Sequence, residues 1–142
     1  MKIQDDLTKY ISSALNNALP EKTKIKTRFH LLDAIVSILT GRLLPPGQKG
    51  FNFSKNQGGV QEATLLGNNI KVSAINAAFS NGMAAHANET DDSHTKGRFH
   101  PGCAIIPTTL AIAEKENLSS EEIFKGIALG YDVGVRFTTS LG

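Results

Sequence analysis

Three of the four histidines, His86, His94 and His100, share a fifteen-residue stretch with three carboxylates, Glu89, Asp91 and Asp92, inside the segment NGMAAHANETDDSHTKGRFHPGCAIIP. An imidazole that titrates near neutrality serves as proton donor or acceptor. A carboxylate beside it, such as Glu89 or Asp91, can orient the ring, or exchange a proton itself if burial or a neighbouring acid raises its pKa. Lys96 and Arg98 flank the same segment. They suit substrate carboxylates, Arg98 in bidentate fashion, although loop cations are more often simply solvated. The ordinary alternative for His100 and the acids is hydrogen-bonded loop capping; so many acids and histidines together favour chemistry. His86, Asp91, Asp92, His94 and His100 are also competent metal ligands. Their spacing matches neither a His-Glu-x-x-His helix nor a cysteine pair.

The flanking sequence says how such residues would be held. Ala84, Ala85 and Ala87 around His86 suit a closely packed helix, whereas Asp91, Asp92 and Ser93 favour caps and turns and Gly97 permits a bend. The site is therefore expected on a loop between two buried helices. Pro101 disfavours helical backbone at His100, and Gly102 lets the chain turn before the apolar run from Ala104.

Upstream, Leu7, Tyr10, Ile11, Ala14 and Leu15 recur at helical spacing until Pro20 ends the pattern. Ile25, Phe29, Leu32, Ile35, Val36 and Leu39 predict a longer helix from Glu21 to Gly41, with these residues as its core face. His30 on that helix reads as a packed or surface histidine. PPGQKGFNFSKNQGG between Leu44 and Gly59 is rich in turn formers and predicts a loop, a short helix or both, with Phe51 and Phe53 able to pin it to the core. Glu62–Leu66 and Ile70–Ser73 around Gly67-Asn68-Asn69 predict a small β-hairpin. An alanine-rich helix from Ala74 to about Asn88 follows. Beyond the site, a helix carries Ile105, Ile106, Leu110 and Ile112 to about Asn117, with Pro107 expected in its first turn. Ser119 with Glu122 forms a capping box for a last long helix. On it Gly126, Gly130 and Gly134 make a stripe that lets another helix approach closely.

The 142 residues, 40% of them hydrophobic, suffice for one domain with a real core. A net charge of +2 from scattered lysines, with aromatics at only 6%, argues against nucleic acid. One cysteine, Cys103, cannot form an internal disulfide and fits a reducing compartment. The polar N-terminus MKIQDDLTKY is unlike a signal peptide, and no apolar run approaches a membrane span. A cytoplasmic protein is the expectation.

HANETDDSH followed by HPGCAIIPTTLAIAE, preceded by EATLLG and AAFSNGMAAH, resembles the MmgE/PrpD family, which includes 2-methylcitrate dehydratase, cis-aconitate decarboxylase and iminodisuccinate epimerase. The likeness extends over nearly the whole chain, to GYDVGVRF. It implies a mainly α, bundle-like fold with one small hairpin, in which residues 1–142 form the N-terminal part of a helical domain. The remaining helices, a second α+β domain, a later histidine and lysines would lie beyond Gly142. It also implies a homodimer, or a partner chain carrying the missing part, and cofactor-independent chemistry on a small di- or tricarboxylate. Residues suspected of catalysis in the family fall on Glu89, Ser93 and His100, with Asp91 and Asp92 in the same motif; His86, Lys96 and Arg98 are candidates for holding substrate. Dehydrating, decarboxylating or epimerising such acids requires moving protons at carbon while carboxylates are held still, and dehydration of the 2-methylcitrate type is the first expectation. This chain departs from the family's usual Leu-Asp-aromatic-Asp-Asp-Thr at Asn88-Glu89-Thr90-Asp91-Asp92-Ser93, so its first acid is a methylene longer. Two other readings stay open: a non-catalytic subunit that needs a second chain, and a metal site at His86, Asp91, His94 and His100.

Overall fold

The computed structural model, which describes residues 2–141, has six helices and one short hairpin packed on the fourth and fifth of them. Their order is α1 (Lys2–Asn16), α2 (Glu21–Gly41), α3 (Pro45–Gln57), β1 (Ala63–Leu65), β2 (Ile70–Val72), α4 (Ala74–His86), α5 (Gly102–Glu116) and α6 (Ser120–Ser140). The fold is mainly α with a small hairpin, as the periodicity and the family resemblance both imply.

Helix α4 is the centre, packed against α2, α3 and α5. Its alanines Ala74, Ala77, Ala84 and Ala85 are buried, and their small side chains let neighbours come near. At Gly41, near the end of α2, a Cβ would stand 1.9 Å from the Ala84 carbonyl oxygen, so only glycine fits there. Ser73 caps α4, accepting from the Asn76 N–H. Asn81 ties α4 to the hairpin, its side chain accepting from Leu66 N–H and donating to the Thr64 carbonyl, each at 3.0 Å. Truncating it would strand two partly buried backbone groups at about 1–3 kcal/mol each. β1 and β2 pair antiparallel, Ala63 with Val72 and Leu65 with Ile70, across a turn where Gly67 adopts φ 77°. From α5, the Glu114 carboxylate accepts from Thr64 N–H and Oγ1 and pairs with Lys71.

Two expectations are corrected by the packing. The inward face of α2 is Thr27, Ala34, Ser37, Ile38 and Gly41, while Ile25, Phe29, Leu32, Val36 and Leu39 are exposed. The inward face follows from three neighbours: Ile38 packs on Ala84 and Ala85 of α4, Gly41 abuts the Ala84 carbonyl, and Ala34 packs on Ile106 of α5 and Ile127 of α6. Second, α5 begins at Gly102, so Pro107 lies inside it rather than in its first turn. The helix starts early because Pro101 is itself helical (φ −66°, ψ −37°) and its carbonyl accepts from Ile105 N–H, while Asp92 holds the Gly102 N–H. For the segment 45–57, expected as a loop, a short helix or both, the helical alternative holds: it starts on two prolines and is held to α4 by Ser54 Oγ donating to the Asn76 carbonyl at 2.9 Å. Phe51 packs on the core cluster under the hairpin, as expected; Phe53 instead meets Phe79 at the surface.

The capping box of α6 is present, with Ser119 Oγ accepting from Glu122 N–H and Ser119 N–H donating to the Glu122 carboxylate. The glycine stripe faces α5: a Cβ at Gly130 would meet Ile105 at 2.8 Å, and Gly126 looks onto Thr109. Among the described residues no helix is long and apolar enough to cross a membrane.

Candidate active site

The segment between α4 and α5 is a folded loop, and its two adjacent aspartates face opposite partners. Asp91 points back to the end of α4 and across to the start of α5. His86, the last residue of α4, places Nδ1 3.2 and 3.3 Å from the two Asp91 oxygens, and His100 Nδ1 lies 3.4 Å from Oδ1. The His100 approach is an ion-pair distance without hydrogen-bond geometry, so its buried Nδ1 remains unpaired. The Asp91 side chain is only 1% exposed, whereas those of His86 and His100 are 48% and 34% exposed. Their rings stand 4.8 Å apart, edge to face. A buried carboxylate thus sits beneath two solvent-facing imidazoles, and the contact through Nδ1 leaves His100 Nε2 free of Asp91.

Asp92 points into the bundle. Its Oδ2 accepts from the Tyr131 hydroxyl of α6 at 2.7 Å and lies 3.0 Å from His30 Nδ1 of α2, while Oδ1 accepts from Gly102 N–H at 2.8 Å. Burial pushes its pKa up, but the bonds from His30, Tyr131 and Gly102 outweigh this and hold it below the ordinary carboxylate range. The carboxylate also lies at the α5 N-terminus, where the helix dipole favours negative charge. Burial first, then Asp92, raises the Tyr131 pKa, and the phenol stays protonated as the donor.

The other predicted residues are dispersed. Glu89 is exposed past the end of α4 in the left-handed region at φ 53°, and its carboxylate makes no ion pair among the described residues. Ser93 is exposed. His94 N–H donates to the Phe99 carbonyl and His94 Nδ1 accepts from Gly97 N–H, closing a tight turn that displays Lys96 and Arg98 to solvent. Asn88 and Thr90 bond to each other, and Asn88 reaches Thr40 of α2, so polar contacts fill these two positions.

The MmgE/PrpD N-terminal domain matches residues 5–142. The chain belongs to the MmgE/PrpD family. No curated protein matches it. Within this MmgE/PrpD chain, sequence reasoning had no sign of Tyr131 or of the polar role of His30, which packs its ring 4.5 Å from that of Tyr131. Both sit on distant helices with nothing local to mark them. Nor did it place Cys103 at the site. The Cys103 thiol donates to the His100 carbonyl at 3.2 Å, and one donor atom each of His86, Asp91 and Cys103 lies within 4.8 Å of the others. A cavity of about 410 Å3 opens on the Asp92 side, lined by Lys22, Lys26, His30 and Tyr131, and does not include His86, Asp91 or His100.

Proposed function

We propose that this chain provides the acid–base centre of an enzyme that moves protons at carbon in a small di- or tricarboxylic acid, a lyase of the 2-methylcitrate dehydratase type. The supporting observation is the buried Asp91 carboxylate beneath the His86 and His100 imidazoles. In this reading Asp91 orients His100, and His100 exchanges the proton with substrate. His86, Lys96 and Arg98 hold substrate carboxylates, and Glu89 and Ser93 contribute from the rim; no cofactor takes part. Asp92 acts by fixing the start of α5 and with it the backbone next to His100.

The protein works as a homodimer or with a chain that supplies further family domains. The outer face of α2 supports this: Ile25, Phe29, Leu32, Val36 and Leu39 alternate at four- and three-residue spacing and are all exposed, Phe29 by 67%. Such a stripe is the pattern of a helix that meets another helix on that side. Light scattering reads the assembly, and a purely monomeric protein in the presence of that chain counts against it. The function is tested by following dehydration of 2-methylcitrate, decarboxylation of cis-aconitate and epimerisation of a dicarboxylate by the protein combined with the remaining family domains. Enzyme-like turnover of one of them that is lost in Asp91→Asn supports the reading. Turnover of none by a correctly assembled protein overturns it.

A further inference from the structure

The donors around Asp91 are not those expected of a proton-transfer site alone. Cys103, in the first turn of α5, brings a thiol to the His86–Asp91 pair, so that imidazole, carboxylate and sulfur converge within 4.8 Å. We propose that His86, Asp91 and Cys103 form a binding site for a borderline-soft divalent ion of the zinc type, with a fourth position open to solvent. Bonds of roughly 2.0–2.3 Å to tetrahedral zinc place donor atoms roughly 3.3–3.7 Å apart. The His86–Asp91 separation of 3.2 Å is already close to this, and the exposed His86 ring can rotate to close the remaining gap to sulfur.

The charge balance favours such an ion. Neutral imidazole, carboxylate and thiolate together carry two negative charges, which the cation neutralises. Burial first, then Asp91 and Asp92, pushes the Cys103 thiol up to about 11, so it remains protonated until a cation enters. Coordination therefore releases one thiol proton to solvent as the metal–sulfur bond forms. Sulfur and imidazole select zinc, cobalt or copper over magnesium and calcium. His100, whose Nδ1 is unpaired 3.4 Å from Asp91, is not one of the three converging donors. His94 is excluded because its Nδ1 is engaged by Gly97 N–H. The donor set is thus not the one that histidine and acid spacing indicates.

One consequence rests on the function proposed above: an ion here takes Asp91 away from His100 and His86 away from substrate, so zinc inhibits turnover. The test begins with binding, which needs no activity. The reduced full chain is titrated with Zn2+ and Mg2+ by calorimetry in buffers of different ionisation enthalpy, and with Co2+ by absorption spectroscopy. Expected are one equivalent of Zn2+ with proton release, no comparable Mg2+ binding, and a thiolate-to-cobalt charge-transfer band. Cys103→Ser, with Cys103→Ala as a second variant, should abolish the band, and both these variants and His86→Ala should weaken Zn2+ on the order of tenfold or more; His94→Ala should leave both signals intact. Absence of Zn2+ binding, or binding unaltered by the Cys103 and His86 variants, overturns the proposal. A protein that shows the band but turns over no polycarboxylate would sink the proposed function and leave the metal site standing.

Discussion

Asp91 and Asp92 are chemically identical neighbours with opposite surroundings. Asp92 has donors from three directions, Tyr131 of α6, His30 of α2 and the Gly102 N–H that opens α5, and it joins three helices. Asp91 is more deeply buried, yet its imidazole partners stand at 3.2 to 3.4 Å and one has no hydrogen bond at the facing nitrogen. A carboxylate whose bonds are satisfied acts as a strut. At Asp91 the unpaired atom is a partner's, His100 Nδ1, and a buried polar atom without a partner is the place where substrate or an ion can still be accommodated. The cavity beside His30 lies on the strut side and does not include Asp91 or its imidazole partners.

The contrast can be broken most forcefully at His100. In the active assembly, His100→Ala should lower kcat on the order of a hundredfold or more with the melting temperature close to that of the parent. His30→Ala, on the other side, should cost stability and leave turnover nearly unchanged. Equal turnover in the parent and His100→Ala would remove the reactive half of the comparison.

Next in size is Asp92→Asn, which should lower the unfolding free energy by roughly 1.5–3 kcal/mol, because the amide cannot accept all three bonds with full charge. Its pH dependence has a definite sign. The folded pKa of Asp92 is depressed, so its contribution is complete above the unfolded value of about 3.9 and disappears as pH falls through the folded one. Urea unfolding of parent and variant should therefore show a gap that is full near neutrality and narrows below about pH 4. A gap that stays constant into acid would show that the ionised carboxylate is not what holds the helices.

Tyr131→Phe removes only one donor to Asp92 and should cost about 1 kcal/mol in the same measurement. The smallest effects are expected at exposed Glu89: Glu89→Gln should reduce turnover by less than about tenfold, and Glu89→Asp should retain or improve it, since only the first removes the ionisable group. If both match the parent, Glu89 is a spectator.

Much of this architecture is local and could be read from spacing. Ser119 and Glu122 meet because a helix start brings residues three apart together, and the hairpin closes at Gly67 because a left-handed turn residue is needed there. Five of the six helical segments follow from periodicity or composition, the segment 45–57 reading only as a loop, a short helix or both, and the motif from His86 to His100 marks the candidate site because its residues are near in the chain. Orientation is different, since it depends on the shape of whatever packs opposite. The apolar period of α2 looks the same whichever side is buried. Only the neighbours decide it: Ala84 and Ala85 of α4 take Ile38, and Ile106 of α5 with Ile127 of α6 take Ala34, while Phe29 and Leu32 stay outside. Likewise, nothing in Asp-Asp distinguishes the two acids until α2 and α6 deliver His30 and Tyr131 to one, and the ends of α4 and α5 deliver His86 and Cys103 to the other. Partners that lie far apart along the chain leave no local mark, and tertiary packing alone brings them together.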